Sequence, residues 1–294
     1  MRRTQEGFTL VEMIMVIVIT GIIGGMVAVF LKAPIQQYLS ISSRADMTDV
    51  ADTALRRIGR DLRLALPNSV SATTSGGARY AGGCTGNNSC FIEFLPTTGG
   101  GRYRAAADSA GITPCGSYAA DVLDFSVADT CFEVLGPMPT VNVGDQIVVY
   151  NLGISGASAY TGNTAATDNR RAVIAPLGAN YINITSANPL PFSSPSDRFQ
   201  VVTTPVSYVC DGAGNLWRYW NYQIQAAQPS TIATLNGLAG VLHALMATNV
   251  STCSFDYNPN AVVQRYGLVT MKLGITESLE TVSLYNEIHV SNVP

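Results

Sequence analysis

The chain has 294 residues, enough for one large domain or two small ones. Hydrophobic residues make up 47% and charged residues 13%, about half the usual charged share, a balance that excludes a disordered chain. Residues 1–67 carry 8 Lys/Arg against 6 Asp/Glu and residues 68–294 carry 9 against 14, so the distal part is acidic and lacks the basic footprint of a nucleic-acid binder.

The chain opens Met-Arg-Arg-Thr-Gln-Glu-Gly, followed by Phe8-Thr9-Leu10-Val11-Glu12 and then nineteen uncharged residues, Met13–Leu31. Counted from Phe8, these residues predict a helix of about 36 Å at about 1.5 Å per residue. That spans a hydrocarbon core of about 30 Å with some tilt. Arg2 and Arg3 precede the run and are expected to stay cytoplasmic, which exports the rest. A secretory signal fits poorly: its apolar core is about 7–15 residues and its small residues come afterwards, whereas Gly21, Gly24 and Gly25 lie inside this run. A plain membrane anchor explains the length but not Glu12, because a carboxylate inside a span is expected to have a partner.

Beyond Pro34 the helical pattern resumes. Met47, Ala51, Ala54, Ile58, Leu62 and Ala65 recur at spacings of three and four, with Val50, Leu55 and Leu66 widening the stripe, until Pro67-Asn68 ends it. Asp52 and Arg56 stand four apart as an ion pair. Arg56, Arg57, Arg60 and Arg63 either solvate the exposed face near the helix end or contact neighbouring subunits.

Past residue 67, short β-branched and aromatic runs alternate with Gly, Asn, Pro and Ser clusters. Strands are predicted at Phe91–Leu95, Val122–Val127, Gln146–Tyr150, Tyr181–Thr185 and Phe199–Thr203. Val206–Cys210 and Leu216–Trp220, joined by Asp211-Gly-Ala-Gly-Asn215, read as a hairpin. A helix is expected at about Ile232–Ala247, then strands at Leu268–Leu273 and Thr281–Val290. The predicted class is α+β: a long N-terminal helix packed on a β-rich head.

Six cysteines, Cys84, Cys90, Cys115, Cys131, Cys210 and Cys253, all lie beyond the apolar run, and none forms a C-x-x-C pair. An even number on the exported side points to disulfides. Six cysteines allow 15 connectivities. Sequential pairing closes the shortest loops at the least entropic cost, so Cys84–Cys90, Cys115–Cys131 and Cys210–Cys253 are expected. The first pair brackets Gly86-Asn87-Asn88-Ser89.

No enzymatic constellation emerges. His243 and His289 are too far apart in sequence for a metal motif. Gly153-Ile154-Ser155-Gly156 breaks the nucleophile-elbow spacing. Gly99-Gly100-Gly101-Arg102 lacks the Lys-Ser/Thr of a phosphate loop and reads as a flexible turn. The Asp211–Asn215 loop lacks the alternating acids of a calcium site and reads as turn chemistry. Trp217, Tyr219, Trp220 and Tyr222 are either packing or a sugar-stacking face. Neither a cofactor nor a metal is expected.

Gly7-Phe8-Thr9-Leu10-Val11-Glu12 before a long apolar helix resembles the class-III signal of type IV pilins and type II secretion pseudopilins. The resemblance implies cleavage between Gly7 and Phe8 by a prepilin peptidase, N-methylation of Phe8, and a Glu12 that neutralises the N-terminal amine of a neighbouring subunit. A carboxylate and an ammonium are tolerable in an apolar core only as a pair. Two residues depart from the family pattern: Glu6 places an acid before the cleavage site, and the first proline is Pro34. The phrase Ala54-Leu55-Arg56-Arg57-Ile58-Gly59-Arg60-Asp61-Leu62-Arg63 is similar to minor pilins and J-type minor pseudopilins. With Cys210-Asp211…Leu216-Trp217-Arg218-Tyr219, Cys253–Tyr257 and the tail His289–Pro294, it resembles the O-type minor pilins of mannose-sensitive haemagglutinin (MSHA) pili. Four segments are implied: a leader (1–7), a transmembrane and assembly helix (8–31), a stalk helix (32–66) and a disulfide-braced head (67–294). The implied partners are the peptidase, other minor and major pilins, and an inner-membrane assembly platform. Alternatives are a J-type pseudopilin or a tip adhesin with a glycan-binding head.

Overall fold

A computed structural model describes residues 7–74, 83–84, 89–107, 113–116, 121–161, 169–185, 188–262 and 266–294. Most of the leader, with Arg2, Arg3 and Glu6, and the turn residues 86–88 lie outside the described residues. Helix α1 (Leu10–Leu62) leads into β1 (Ser71–Thr74), β2 (Gly83–Cys84) and β3 (Cys90–Phe94). Next come β4 (Thr97–Tyr103), β5 (Cys131–Leu135), β6 (Gln146–Val149), β7 (Arg170–Leu177), β8 (Tyr181–Ile184) and β9 (Arg198–Val202). The chain continues through β10 (Val206–Cys210), β11 (Leu216–Trp220) and a short α2 (Ile232–Asn236). It finishes with β12 (Leu242–Ala247), β13 (Val250–Val262), β14 (Tyr266–Glu277) and β15 (Glu280–Ser291).

The class is α+β. Helix α1 is continuous through Pro34, although a proline has no N–H to bond one turn back. Its C-terminal half buries Met47, Ala51, Ala54, Leu55, Ile58, Gly59 and Leu62, a stripe at three- and four-residue spacing. A Cβ at Gly59 would stand 2.6 Å from Ile288 Cδ1, so glycine lets β15 approach the helix. Helical bonding stops at Leu62, short of the expected Leu66. Leu64 O and Leu66 N turn instead to Thr97 N and Leu95 O, and both Ala65 and Leu66 are buried outside the helix.

Two sheets pack with α1 in one core: a five-stranded sheet in the order β1-β3-β10-β11-β12 and a four-stranded sheet in the order β15-β14-β13-β2. The six remaining strands close a barrel, β4-β5-β8-β7-β6-β9. This barrel is an insertion. Strands β3 and β10 are hydrogen-bonded neighbours, with Phe94 opposite Val206, and the whole barrel is strung between them. It has its own core around Phe132, Ile147, Ile182 and Phe199. It docks on the rest through Leu66, Leu95, Val148, Tyr160 and Val202. Tyr160 donates its hydroxyl to Ser69 O at 2.8 Å, and Asn151 Nδ2 donates to Pro67 O at 2.6 Å. Gly153 completes the seam: its φ is +68°, and a Cβ there would meet Asn68 O at 2.7 Å.

Three expectations are corrected. Residues 242–247 are strand rather than helix, because the chain turns at Gly237–Gly240 and Leu242–Ala247 pairs along β11. Val122–Val127 is turn: Asp124 Oδ1 accepts from Ser126 N and Oγ, and Asp129 accepts from Asp124 N. Gly99–Arg102 belongs to β4 and pairs with β9. A Cβ at Gly100 would stand 2.8 Å from Phe199 O, so these glycines bring two strands together.

Candidate functional site

The α1 residues before Ser40 leave the head and make no tertiary hydrogen bond among the described residues. Their large apolar side chains are exposed from Phe8 (83%) to Leu39 (61%). Only the segment beyond Ser40 enters the core. The helix is long and apolar enough to cross a membrane by length and composition.

Gly7 and Phe8 lie in non-helical backbone directly before the cap, where the intervening peptide bond is accessible. Thr9 is the N-cap, with φ −79° and ψ 150°. Glu12 N donates to Thr9 Oγ1 at 3.3 Å, while Thr9 N and Oγ1 donate to Glu12 Oε2 at 3.0 and 2.9 Å. Thr-x-x-Glu is therefore a reciprocal capping box, which satisfies two end groups of the helix. Sequence reasoning takes Glu12 as an acid in search of a partner and misses this local one, although the spacing signals it. Both bonds from Thr9 go to Oε2, which leaves Oε1 for a further donor. Deeper in the run, Thr20 Oγ1 donates to Val16 O at 2.6 Å, so that hydroxyl needs no outside partner. A Cβ at Gly21, Gly24 or Gly25 would meet nothing within 4 Å, so no packing inside the subunit requires these glycines.

Two polar contacts hold the packed half. At the foot of the head, Glu280 accepts from Ser40 Oγ and from Arg44 Nε, the latter at 2.8 Å. Those bonds hold the Glu280 carboxyl below its usual range, the Arg44 contact contributing most. Near the far end, Asp61 Oδ2 accepts from Tyr208 Oη at 2.7 Å and from Arg218 Nε at 3.0 Å, with Arg57 at 3.4 Å from Oδ1. Burial and the bond to Asp61 raise the Tyr208 hydroxyl above the usual phenol range, so it remains a donor. Asp52 pairs with Arg56 at 2.7 Å on the exposed face.

Disulfides join Cys84 to Cys90, Cys115 to Cys131 and Cys210 to Cys253. The first links β2 to β3 and the third links β10 to β13, so both staple one sheet to the other. Cys115–Cys131 ties a barrel loop to β5. Replacing Cys210 and Cys253 together by alanine is expected to destabilise the head by about 4 kcal/mol, the chain-entropy value for a loop of this length. A thermal melt of the oxidised variant against the parent checks this.

The other head candidates are structural. Asp211 Oδ1 accepts from Ala213 N and Asn215 N, and Oδ2 from Asn215 Nδ2 and Trp217 Nε1. Burial pushes this carboxyl up, but the hydrogen bonds outweigh it and hold the group below its usual range. Tyr219 and Tyr222 are buried and Trp217 and Trp220 half-buried, so the four do not form an open sugar-stacking face. His243 rests on Trp217 and Tyr219, with centroids 5.6 and 5.3 Å apart, while His289 lies in the other sheet. Among the described residues, no group of His, Cys, Asp and Glu is placed to hold a metal. A buried polar cluster not foreseen from sequence surrounds Glu93, whose carboxylate accepts from Tyr222 Oη at 2.9 Å and Ser207 Oγ at 3.3 Å. Its one sequence signal is an acid inside an apolar strand.

Residues 2–28 match the family described as prokaryotic N-terminal methylation motif. That motif, on an exposed apolar helix carrying a disulfide-braced β-rich head, supports a type IV pilin-like or pseudopilin protein. It implies processing by a prepilin peptidase, membrane anchoring, and association with other pilins in a filament. No curated protein and no solved structure matches the chain.

Proposed function

We propose that this chain is a minor pilin of an MSHA-like type IV pilus that primes or caps filament assembly and supports surface attachment. Cut between Gly7 and Phe8 and methylated on Phe8, it waits in the inner membrane through residues 8–31 with its head in the periplasm. The assembly platform then draws it into the filament beside major and other minor pilins. What carries this reading is a helix bare and apolar over its first thirty or so residues yet anchored in the head beyond Ser40. A subunit built this way has a large surface that only lipid or like helices cover. The inserted barrel adds bulk outside the α1–sheet core, which suits a minor position better than that of the bulk component.

Intact mass of the mature protein tests processing: the expected first residue is methylated Phe8. A chain still beginning at Met1 in cells with active peptidase would sink the proposal. Deletion distinguishes the machine, because loss of piliation supports a pilus role, whereas loss of protein secretion with pili intact indicates a type II secretion filament.

A further inference from the structure

The edges of the two open sheets are protected unequally. Among the described residues, strand β1 has four, with Ser71, Ala72 and Thr73 buried, and β2 has two. Strand β15 carries Glu280 and Glu287, and Glu280 is tied to α1 through Ser40 and Arg44. Strand β12 is different. Its sequence, Leu242-His-Ala-Leu-Met-Ala247, has no Asp, Glu, Lys, Arg or proline. Leu242 is 50% exposed and Leu245 46%. They lie on opposite faces, opposite Trp220 and Trp217, as expected of a strand with nothing beyond it. The strand ends its sheet, and no backbone bond reaches its outer edge among the described residues. Soluble proteins blunt such edges with charge, proline or cover, because an open apolar ladder templates another strand.

We propose that β12 is a strand-addition site for another pilin-like subunit, an inference that rests on the filament reading above. An extended segment of the incoming head hydrogen-bonds the free edge of β12 and lays apolar side chains beside Leu242 and Leu245. The position favours this occupant. Strand β12 borders the surface where α1 meets the sheet: Trp220 and Met246 pack on the core that holds Met47, Leu55 and Ile58. A pilin that packs along α1 therefore reaches β12 as a continuation of the same contact. An uncharged strand gives no purchase to a strongly acidic or basic peptide. A second copy paired antiparallel through its own β12 fits poorly, because the two strands would be related by a two-fold axis normal to the sheet. That operation reverses every direction along the sheet, α1 included. Two such helices cannot run the same way through one membrane or one filament.

The test uses the full chain in its own cells. With Leu245→p-benzoylphenylalanine, irradiation is expected to yield a cross-linked product whose other component, identified by peptide mass, is a different chain with an N-terminal methylation signal. Adding Leu242→Lys is expected to lower its yield by about tenfold, as edge lysines do to strand pairing. Because Leu242 is half-exposed, the purified variant should melt close to the parent, which separates loss of docking from loss of fold. A product made of this chain alone would overturn the proposal. So would absence of product in cells where the chain is processed at Phe8 and recovered in filaments, an outcome that leaves the filament reading intact. A chain that stays unprocessed overturns both.

Discussion

Glu12→Ala is expected to enter the membrane normally and to fall at least about tenfold in filament incorporation, measured as its share of sheared pili against membrane. An unpaired ammonium in apolar surroundings costs about 3–5 kcal/mol, and cleavage after Gly7 would create one on Phe8, next to Thr9. The capping box adds a second role to be separated from the first, since Glu12 also closes the helix end through Thr9. Glu12→Gln does this. A glutamine carbonyl still accepts from Thr9 N, but it carries no charge to balance an amine. If pairing with an amine governs assembly, Gln fails as Ala does. Normal incorporation of the Gln variant would assign Glu12 to capping alone and remove the charge-pairing role.

Asp61→Ala is expected to destabilise the folded chain by about 3 kcal/mol, because truncating one member of a partly buried ionic cluster strands its partners. Side-chain exposure is 15% for Asp61 and 16% for Arg218, so water cannot fully replace the lost contacts. Arg218 keeps its stack over Trp220, at 4.9 Å from the ring centroid, but loses its only ion pair among the described residues. Asp61→Asn, which still accepts from Tyr208, should lose about half as much, near the 1.5 kcal/mol that separates a charged from a neutral hydrogen bond. Thermal melts in one detergent compare the three proteins. Equal melting of Asp61→Ala and parent would show that apolar packing alone fixes the helix to the sheet.

How much of this is readable from sequence depends on whether local or distant residues decide the conformation. The α1 stripe is legible because helix period and burial coincide at Met47, Ala51, Ala54, Ile58 and Leu62. Val50, included in that stripe, is 41% exposed, outside the face of the helix that packs on the sheets. The hairpin around Asp211 is legible because its turn chemistry is local. Residues 242–247 are not: Leu, Ala and Met favour helix, and pairing with β11 overrides that preference. Strand β4 is hidden for the opposite reason, since three consecutive glycines signal a turn unless a neighbouring backbone needs the space. The Gly7-Phe8…Glu12 pattern can be read from spacing, but the bond that closes it on Thr9 appears only in the folded helix end.

The barrel strung between β3 and β10 has a mechanical consequence. Tension along a filament enters each subunit through α1 and passes to β14 and β15, which lie against it. The barrel departs from and returns to one spot on the five-stranded sheet, and it meets the end of α1 at the seam around Leu64–Ser69. A pilus carrying the subunit under load would stretch the helix–sheet frame first and load the barrel through that seam. The outward-facing side of the barrel, away from that seam, is thereby the part of the head least exposed to traction on the fibre.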